Sequence, residues 1–257
     1  MEASCAPIVH DIPVAVQAAT IALTAGTVIV TMPQCIKLAR SQSSEGISLP
    51  TVVLTMVLNL TDVAAAIVTK WKQVTSCSYG FAGCVPGLLD LVQTVVLTAT
   101  TAVVLIQVVC FRPHDMLTHR AIAAGTLIAT AAAWAAAVWM SLVDPCGSLP
   151  LAYAKACGIA AATSAVVQYL PQLSTTFYKQ SSGSLSVPFY ALQAAGGIAI
   201  AGEQIFAARD PWPIWLPFLC STTCQICVAL LCVWFDPHLR KKEHRLVSNL
   251  SSCICGH

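Results

Sequence analysis

Seven times along this chain a stretch of roughly fifteen to twenty-five residues runs without a membrane-incompatible lysine or arginine. A hydrocarbon layer about 30 Å thick is crossed by about 20 apolar helical residues, and inside it every backbone N–H and C=O must bond within its own segment. The stretches cover residues 13–32, 50–69, 86–110, 121–143, 156–170, 188–207 and 214–235. The fifth is short unless it begins near Leu151 and lets Lys155 reach the interface with its charged end. With 57% hydrophobic and only 9% charged residues, the chain lacks the polar surface of a soluble domain, where about 25% of residues are charged. Its formal net charge of +2 is too small and too scattered to hold nucleic acid. The expectation is an all-α membrane protein of seven transmembrane helices, with membrane lipids as its first partner.

Seven crossings put the termini on opposite sides, and basic residues favour the cytosol. Lys37, Arg40, Arg112, Arg120, Lys179, Arg240, Lys241, Lys242 and Arg245 share one side; Lys70, Lys72, Lys155 and Arg209 share the other. The N-terminus is therefore expected in a lumen or outside, the C-terminus in the cytosol. Residues 1–13 hold Glu2 and Asp11 and no basic residue, so the first span reads as its own anchor rather than a cleaved signal.

Most of the 13 cysteines fall inside spans, where they act as small apolar residues. Cys77 and Cys84 share a luminal loop; free thiols are the default reading and a disulfide the alternative. Cys224 and Cys227 have a CxxC spacing but no His or acidic neighbours, and Cys253 and Cys255 on the basic tail are candidates for palmitoylation. All six histidines lie in predicted loops or tails. Without a metal-ligand set, a phosphate-cradling loop or a nucleophile beside a base, the chain is expected to be no enzyme and to use no cofactor or metal.

An internal repeat is the strongest signal. Residues 33–50 (PQCIKLARSQSSEGISLP) and 171–188 (PQLSTTFYKQSSGSLSVP) align without a gap at an offset of 138, with seven identities in 18. Four crossings separate the two copies, so they point the same way and the halves are parallel repeats. The fold expected is two three-helix bundles, residues 1–110 and 151–235, joined by a linker helix within 111–150 and followed by a basic tail, 236–257. Each proline lacks the N–H of its helical rung, so Pro33-Gln34 and Pro171-Gln172 are candidate hinges, with the glutamines placed to bond groups left unpaired. The plainer reading is that each proline ends its span at the interface.

Polar residues recur at helical spacing: Gln17, Thr20, Thr24, Thr27 and Thr31; Thr51, Thr55, Asn59 and Asp62; Asp90, Thr94, Thr98 and Thr101; Gln193 and Glu203 around Gly196 and Gly197. These faces either line a hydrated cavity or hold helices together by hydrogen bonds. Carboxylates within a membrane are costly, which favours the cavity for Asp62 and Glu203 and, closer to the interface, Asp90. The repeat offset pairs Thr55 with Gln193 at matching depth, a symmetric place for a solute group.

The doubled Pro-Gln element with seven spans resembles the PQ-loop family, which is similar in architecture to SWEET sugar transporters. Lys37, Ser44, Glu45, Gly46 and Ser48, then Leu91, Gln93 and Thr94, then Gly183, Leu185, Ser186, Gly196, Gly197, Asp210 and Pro211 resemble the mannose-P-dolichol utilisation defect subgroup. Thr55 and Ala201 depart from it, where that subgroup tends to carry Glu and, nearby, Arg; Gln193 stands where amino-acid exporters of the family tend to carry Asp. The resemblance implies a non-enzymatic endoplasmic-reticulum protein supporting the use of dolichol-linked sugars. The alternative is a carrier of a small solute, a sugar or amino acid, in a lysosome or vacuole. A cargo receptor is a third. Thr55, Asn59, Asp62, Gln93, Gln193 and Glu203 are the candidate substrate-contacting residues under either of the first two readings.

Overall fold

The computed structural model describes residues 14–42, 48–77, 81–111, 116–145, 147–180 and 187–235. Among them the chain is helical throughout: α1 (Val14–Ser41), α2 (Leu49–Thr69), the short α3 (Trp71–Ser76), α4 (Phe81–Cys110), α5 (Met116–Val143), α6 (Ser148–Lys179), α7 (Val187–Gly202) with a π-helical turn at Glu203–Ala207, and α8 (Trp212–Trp234). Five helices contain stretches long and apolar enough to cross a membrane: α2, α4, α5, α6 and α8. In α1 the apolar stretch among the described residues is Gln17–Ile29. Helix α7 is only 16 residues long.

Several expected boundaries move. Helices α1 and α6 do not stop before Pro33 and Pro171; both run on for about two turns, to Ser41 and Lys179. A proline removes one N–H from the ladder but leaves the following rungs intact, and past Pro171 the hydroxyls of Ser174 and Thr175 donate to its carbonyl at 3.0 and 2.6 Å. Helix α6 begins at Ser148 and carries Lys155 exposed, and α5 begins at Met116, so His119 lies in its first turn and not in a loop. The repeat is written into the backbone as well. Gln42 and Gln180, 138 residues apart, both follow these long helices in the left-handed region, with φ of 49° and 47°.

In the first half α4 packs between α1 and α2; in the second, α8 packs between α6 and α7. The third helix of each trio thus sits in the middle. Helices α2 and α6 join the trios, so the order around the ring is α1, α4, α2, α6, α8, α7, and a thin joint between α7 and α1 closes it. Helix α5 lies outside against α2, fixed where Trp134 Nε1 donates to the Leu60 carbonyl at 3.1 Å and the Tyr153 hydroxyl to Ala133 at 2.9 Å.

Small side chains explain the firm joint. Ala64, Ala65 and Ala66 of α2 are sealed in a cluster with Ala137, Ala154, Cys157 and Ile214. Without branches between them, helix backbones come close enough for dispersion contacts to hold them together. The other end of the first trio is dry and bulkier, built on Leu38, Leu49, Met56, Leu105 and Val108. Between α3 and α4, Cys77 and Cys84 form a disulfide, overturning the expectation of free thiols; α3 folds the chain back so that their Cα atoms lie 5.1 Å apart.

Two glycines mark close helix crossings. A methyl at Gly158 would lie 2.6 Å from Pro213 Cα, and one at Gly197 2.0 Å from Thr222 Oγ1, whereas one at Gly26 would meet nothing within 4 Å. Because the obstacle at Gly158 includes backbone, Gly158→Ala is expected to destabilise the protein by about 1–3 kcal/mol, typical of overpacking. A lower thermal midpoint in detergent for Gly158→Ala, with Gly26→Ala unchanged or slightly raised, is the expected result.

Candidate functional site

At the end of the ring where α1 begins and α2 finishes, the two repeats meet through charge. Lys70 caps α2 with its side chain only 2% exposed. Its ammonium lies 2.8 Å from Asp90 Oδ2 on α4 and 2.8 Å from Asp210 Oδ1, with Asp210 Oδ2 at 2.9 Å. Asp90 belongs to the first repeat and Asp210 to the second, so one lysine bolts the trios together. Asp210 is put there by an unusual turn: the α7 ladder widens into the π-helical segment, Ala208 N–H bonds to Glu203 O, and Arg209 takes φ 52°. The turn swings Asp210 toward Lys70 just before Pro211 starts α8.

Two carboxylates around one ammonium leave a surplus negative charge in a site shielded from water. Burial therefore pushes the Asp210 carboxyl up to about 7, with Lys70 opposing the rise and Asp90 adding to it. For Lys70, burial acts to lower the pKa, but Asp90 and Asp210 together outweigh it and the result is raised.

The sequence-derived residues fall in three places. Glu203 accepts a hydrogen bond from Thr20, which joins α1 to the end of α7 and brings a third carboxylate within electrostatic reach of Lys70 and Asp90. Asp62 is buried on α2, interacts electrostatically with Asp90, and has no hydrogen-bond partner for Oδ1 among the described residues; Gln204 Oε1 is in the same condition. Thr55 and Asn59 lie farther along α2. Thr55 bonds across the trios to Gln168 Oε1 at 2.8 Å, while Asn59 Nδ2 donates to Thr101 Oγ1 at 2.9 Å inside the first trio. Gln93 is buried on α4 and Gln193 is half-buried on α7. Thr55 is thus joined to Gln168 rather than to its repeat counterpart Gln193.

Much of the threonine pattern closes on its own helix: Thr24, Thr27 and Thr31 donate to carbonyls one turn back at 2.6–2.8 Å, as do Thr94 and Thr98 at 2.8 Å. Of the expected hinge residues, Pro33 and Gln34 lie in continuous helix and their side chains are outside the described residues. Gln172 does not service the gap left by Pro171; its amide donates to the Tyr190 hydroxyl and ties α6 to α7. Nearby, Gln225 of α8 donates to the Tyr169 hydroxyl at 2.8 Å. Ser43, Ser44, Glu45, Gly46, Gly183, Leu185, Ser186 and the tail with Arg240, Lys241, Lys242, Arg245, Cys253 and Cys255 lie outside the described residues.

Sequence reasoning treated Lys70 as a loop charge and Asp210 as a motif residue. A partial signal was there: Lys70 and Lys72 follow one apolar stretch, and Asp210, beside Arg209, precedes another on the same predicted side, so opposite charges stand at the same level of the membrane. Among the described residues no group of three or more His, Cys, Asp or Glu side chains is arranged to hold a metal ion.

Comparison with known proteins places two segments of this chain, residues 15–75 and 153–212, on the PQ loop repeat family model. They contain the first two long helices of each trio. An uncharacterized protein of Schizosaccharomyces pombe is 32% identical over 95 residues, which is 36% of this chain and 32% of that one. The chain thus spans about a third of the length of the curated relative it matches.

Two results are expected from the charge cluster. Lys70→Met leaves two buried carboxylates facing each other and costs about 3–5 kcal/mol, whereas Lys70→Met combined with Asp90→Asn and Asp210→Asn regains most of that loss; thermal unfolding in detergent reads both. Because the folded pKa of Asp210 lies above its unfolded value, its contribution is complete below about pH 4 and fades as pH rises through about 7. The wild-type midpoint should fall, relative to Asp210→Asn, between about pH 4 and 7.

Proposed function

We propose that this chain is a PQ-loop carrier: a non-enzymatic, multi-pass membrane protein in which two parallel three-helix bundles, seven crossings with α5 as linker, alternate access to a site between them. The observation that carries this reading is the Lys70–Asp90–Asp210 triad, a buried polar closure between the repeats at one end of the ring. Closure at one end of a duplicated bundle is what an alternating carrier needs in one of its two states. Buried charge is costly in a membrane and is kept where a function needs it.

The closed end is taken as luminal. It carries the Cys77–Cys84 disulfide, which belongs in an oxidising compartment, and the basic residues counted above favour the opposite face as cytosolic. That orientation sets the N-terminus in the lumen and the C-terminus in the cytosol. Pro33-Gln34 and Pro171-Gln172 are the hinges at the cytosolic ends. Thr55, Asn59, Asp62, Gln93, Gln193 and Glu203 supply the solute-contacting groups, with amides and hydroxyls suited to a sugar. The subgroup resemblance makes dolichol-linked mannose or glucose the preferred cargo and the endoplasmic reticulum the preferred site, and a free sugar or amino acid the second choice. In support of the first, the motif residues Asp210 and Gly197 occupy structural key points, one in the triad and one at the α7–α8 crossing.

Three measurements test the proposal. Proteoliposomes holding the full chain should exchange radiolabelled mannose or flip a mannosyl-phosphoryl polyprenol at least tenfold faster than empty vesicles; movement of neither overturns the carrier reading. Loss of the protein should shorten lipid-linked oligosaccharides in the cell, and an unchanged glycan profile removes the dolichol cargo. Lys70→Met with Asp210→Asn should raise luminal maleimide labelling of a cysteine placed at Thr24 severalfold, read peptide by peptide in a mass spectrometer; unchanged labelling denies the triad its closing role.

A further inference from the structure

The two joints between the trios ought to match if the repeats were symmetric, and they do not. Helices α2 and α6 are pressed together along much of their length, while α1 and α7 barely touch. The repeat offset gives the reason. Ala64, Ala65 and Ala66, which seal the first joint, correspond to Gly202, Glu203 and Gln204, where α7 widens into its π-helical turn. Larger polar side chains on a widened helix hold α1 at arm's length, and the Thr20–Glu203 hydrogen bond spans the gap at the closed end.

Below that bond two faces look at each other. On α7, Gln193, Gly196 and Ile200 continue the face that ends in Glu203; on α1, Thr24, Thr27 and Thr31 continue the face that begins at Thr20. The helices run oppositely, so Gln193, about 15 Å from Glu203 at 1.5 Å per residue, is level with Thr27–Thr31. These side chains are half-buried. A methyl built on Gly196, on that face of α7, meets nothing within 4 Å, so there is room beside Gln193 although the glycine is itself half-covered. On the outer flanks stand Ile21 and Ile29 of α1 and Leu192 and Ile198 of α7, all more than half exposed and suited to lipid chains.

We propose that the α1–α7 joint is a lateral doorway from the bilayer, taking a glycolipid whose sugar head lies against Thr24, Thr27 and Gln193 while its tail stays among the lipids. The lining fits a neutral hydroxylated head. The threonine hydroxyl protons are spent on their own helix, leaving oxygens as acceptors toward the gap, and Gln193 offers both donor and acceptor. Glu203, the charged side chain on these two faces, is already bonded to Thr20. A free sugar needs no opening to the side; a head that drags a hydrocarbon tail does.

This inference rests on the carrier reading but is tested apart from it. The full chain in phosphatidylcholine vesicles is irradiated with a monoglucosyl lipid carrying a diazirine in its tail, and with a diazirine phosphatidylcholine as reference, and labelled peptides are mapped. The glycolipid should label residues of α1 and α7 flanking the joint at least fivefold above the reference, and label α5 no more than the reference does. Gly196→Trp and Thr27→Trp, which fill the gap, should abolish the excess, while Gly196→Ala keeps it. Labelling spread evenly over α5 and the joint, an excess untouched by the filling substitutions, or a dimer cross-link at this face excluding the lipid would each overturn the doorway. Selective labelling without any transport would leave the doorway standing and defeat the carrier; transport of free mannose by the wild-type chain, with no selective labelling of it, would do the reverse.

Discussion

One ammonium group held between two carboxylates from different repeats organises the end of this protein where α1 begins and α2 finishes. A lysine so deeply covered survives only because Asp90 and Asp210 approach within 2.8 Å, and those carboxylates survive only because the lysine is there. The arrangement recruits much of the surrounding architecture: the end of α2 to present Lys70, the disulfide-closed α3–α4 turn to return the chain toward Asp90, and the π-helical turn with a left-handed Arg209 to aim Asp210. Beside this attraction, the Thr20–Glu203 hydrogen bond also joins the trios at this end.

The ring is firm on one side for a different reason. The α2–α6 joint is dry and built from alanines, so its strength comes from close backbone approach and not from charge. A carrier assembled from two trios needs a joint that stays and a joint that yields. Apolar, closely packed surfaces suit the first task because they are indifferent to protonation, and ion pairs suit the second because water or a ligand competes for them. Duplication supplied two equivalent seams, and substitution at the three positions that became Gly202, Glu203 and Gln204 made them unequal.

Much of the helical layout was legible in the sequence, because lipid leaves the backbone few choices: an apolar stretch of the right length has to be helical. The repeat was legible from Pro33-Gln34 and Pro171-Gln172, and it reappears as the paired left-handed Gln42 and Gln180. Where the reading went astray, a local rule was overridden by context. Proline was expected to bend or break α1 and α6, with the end of a span as the plainer reading, yet both helices run on, since one missing hydrogen bond is a small loss in helices of 28 and 32 residues. Thr24, Thr27 and Thr31 have the spacing of a cavity wall, but spacing says nothing of whether a hydroxyl turns back to its own carbonyl, as these do. Gln172 sits beside a proline in sequence and serves Tyr190 in space.

By itself the sequence determined what is periodic and additive: the membrane class, the helices, the twofold duplication and the face each polar residue occupies, since these follow from 3.6 residues per turn and the thickness of a lipid layer. Tertiary structure alone decided which charges meet. Lys70 and Asp210 are 140 residues apart, and their pairing depends on a few ångströms set by a widened turn and two alanine-packed helices, a distance that no local pattern encodes.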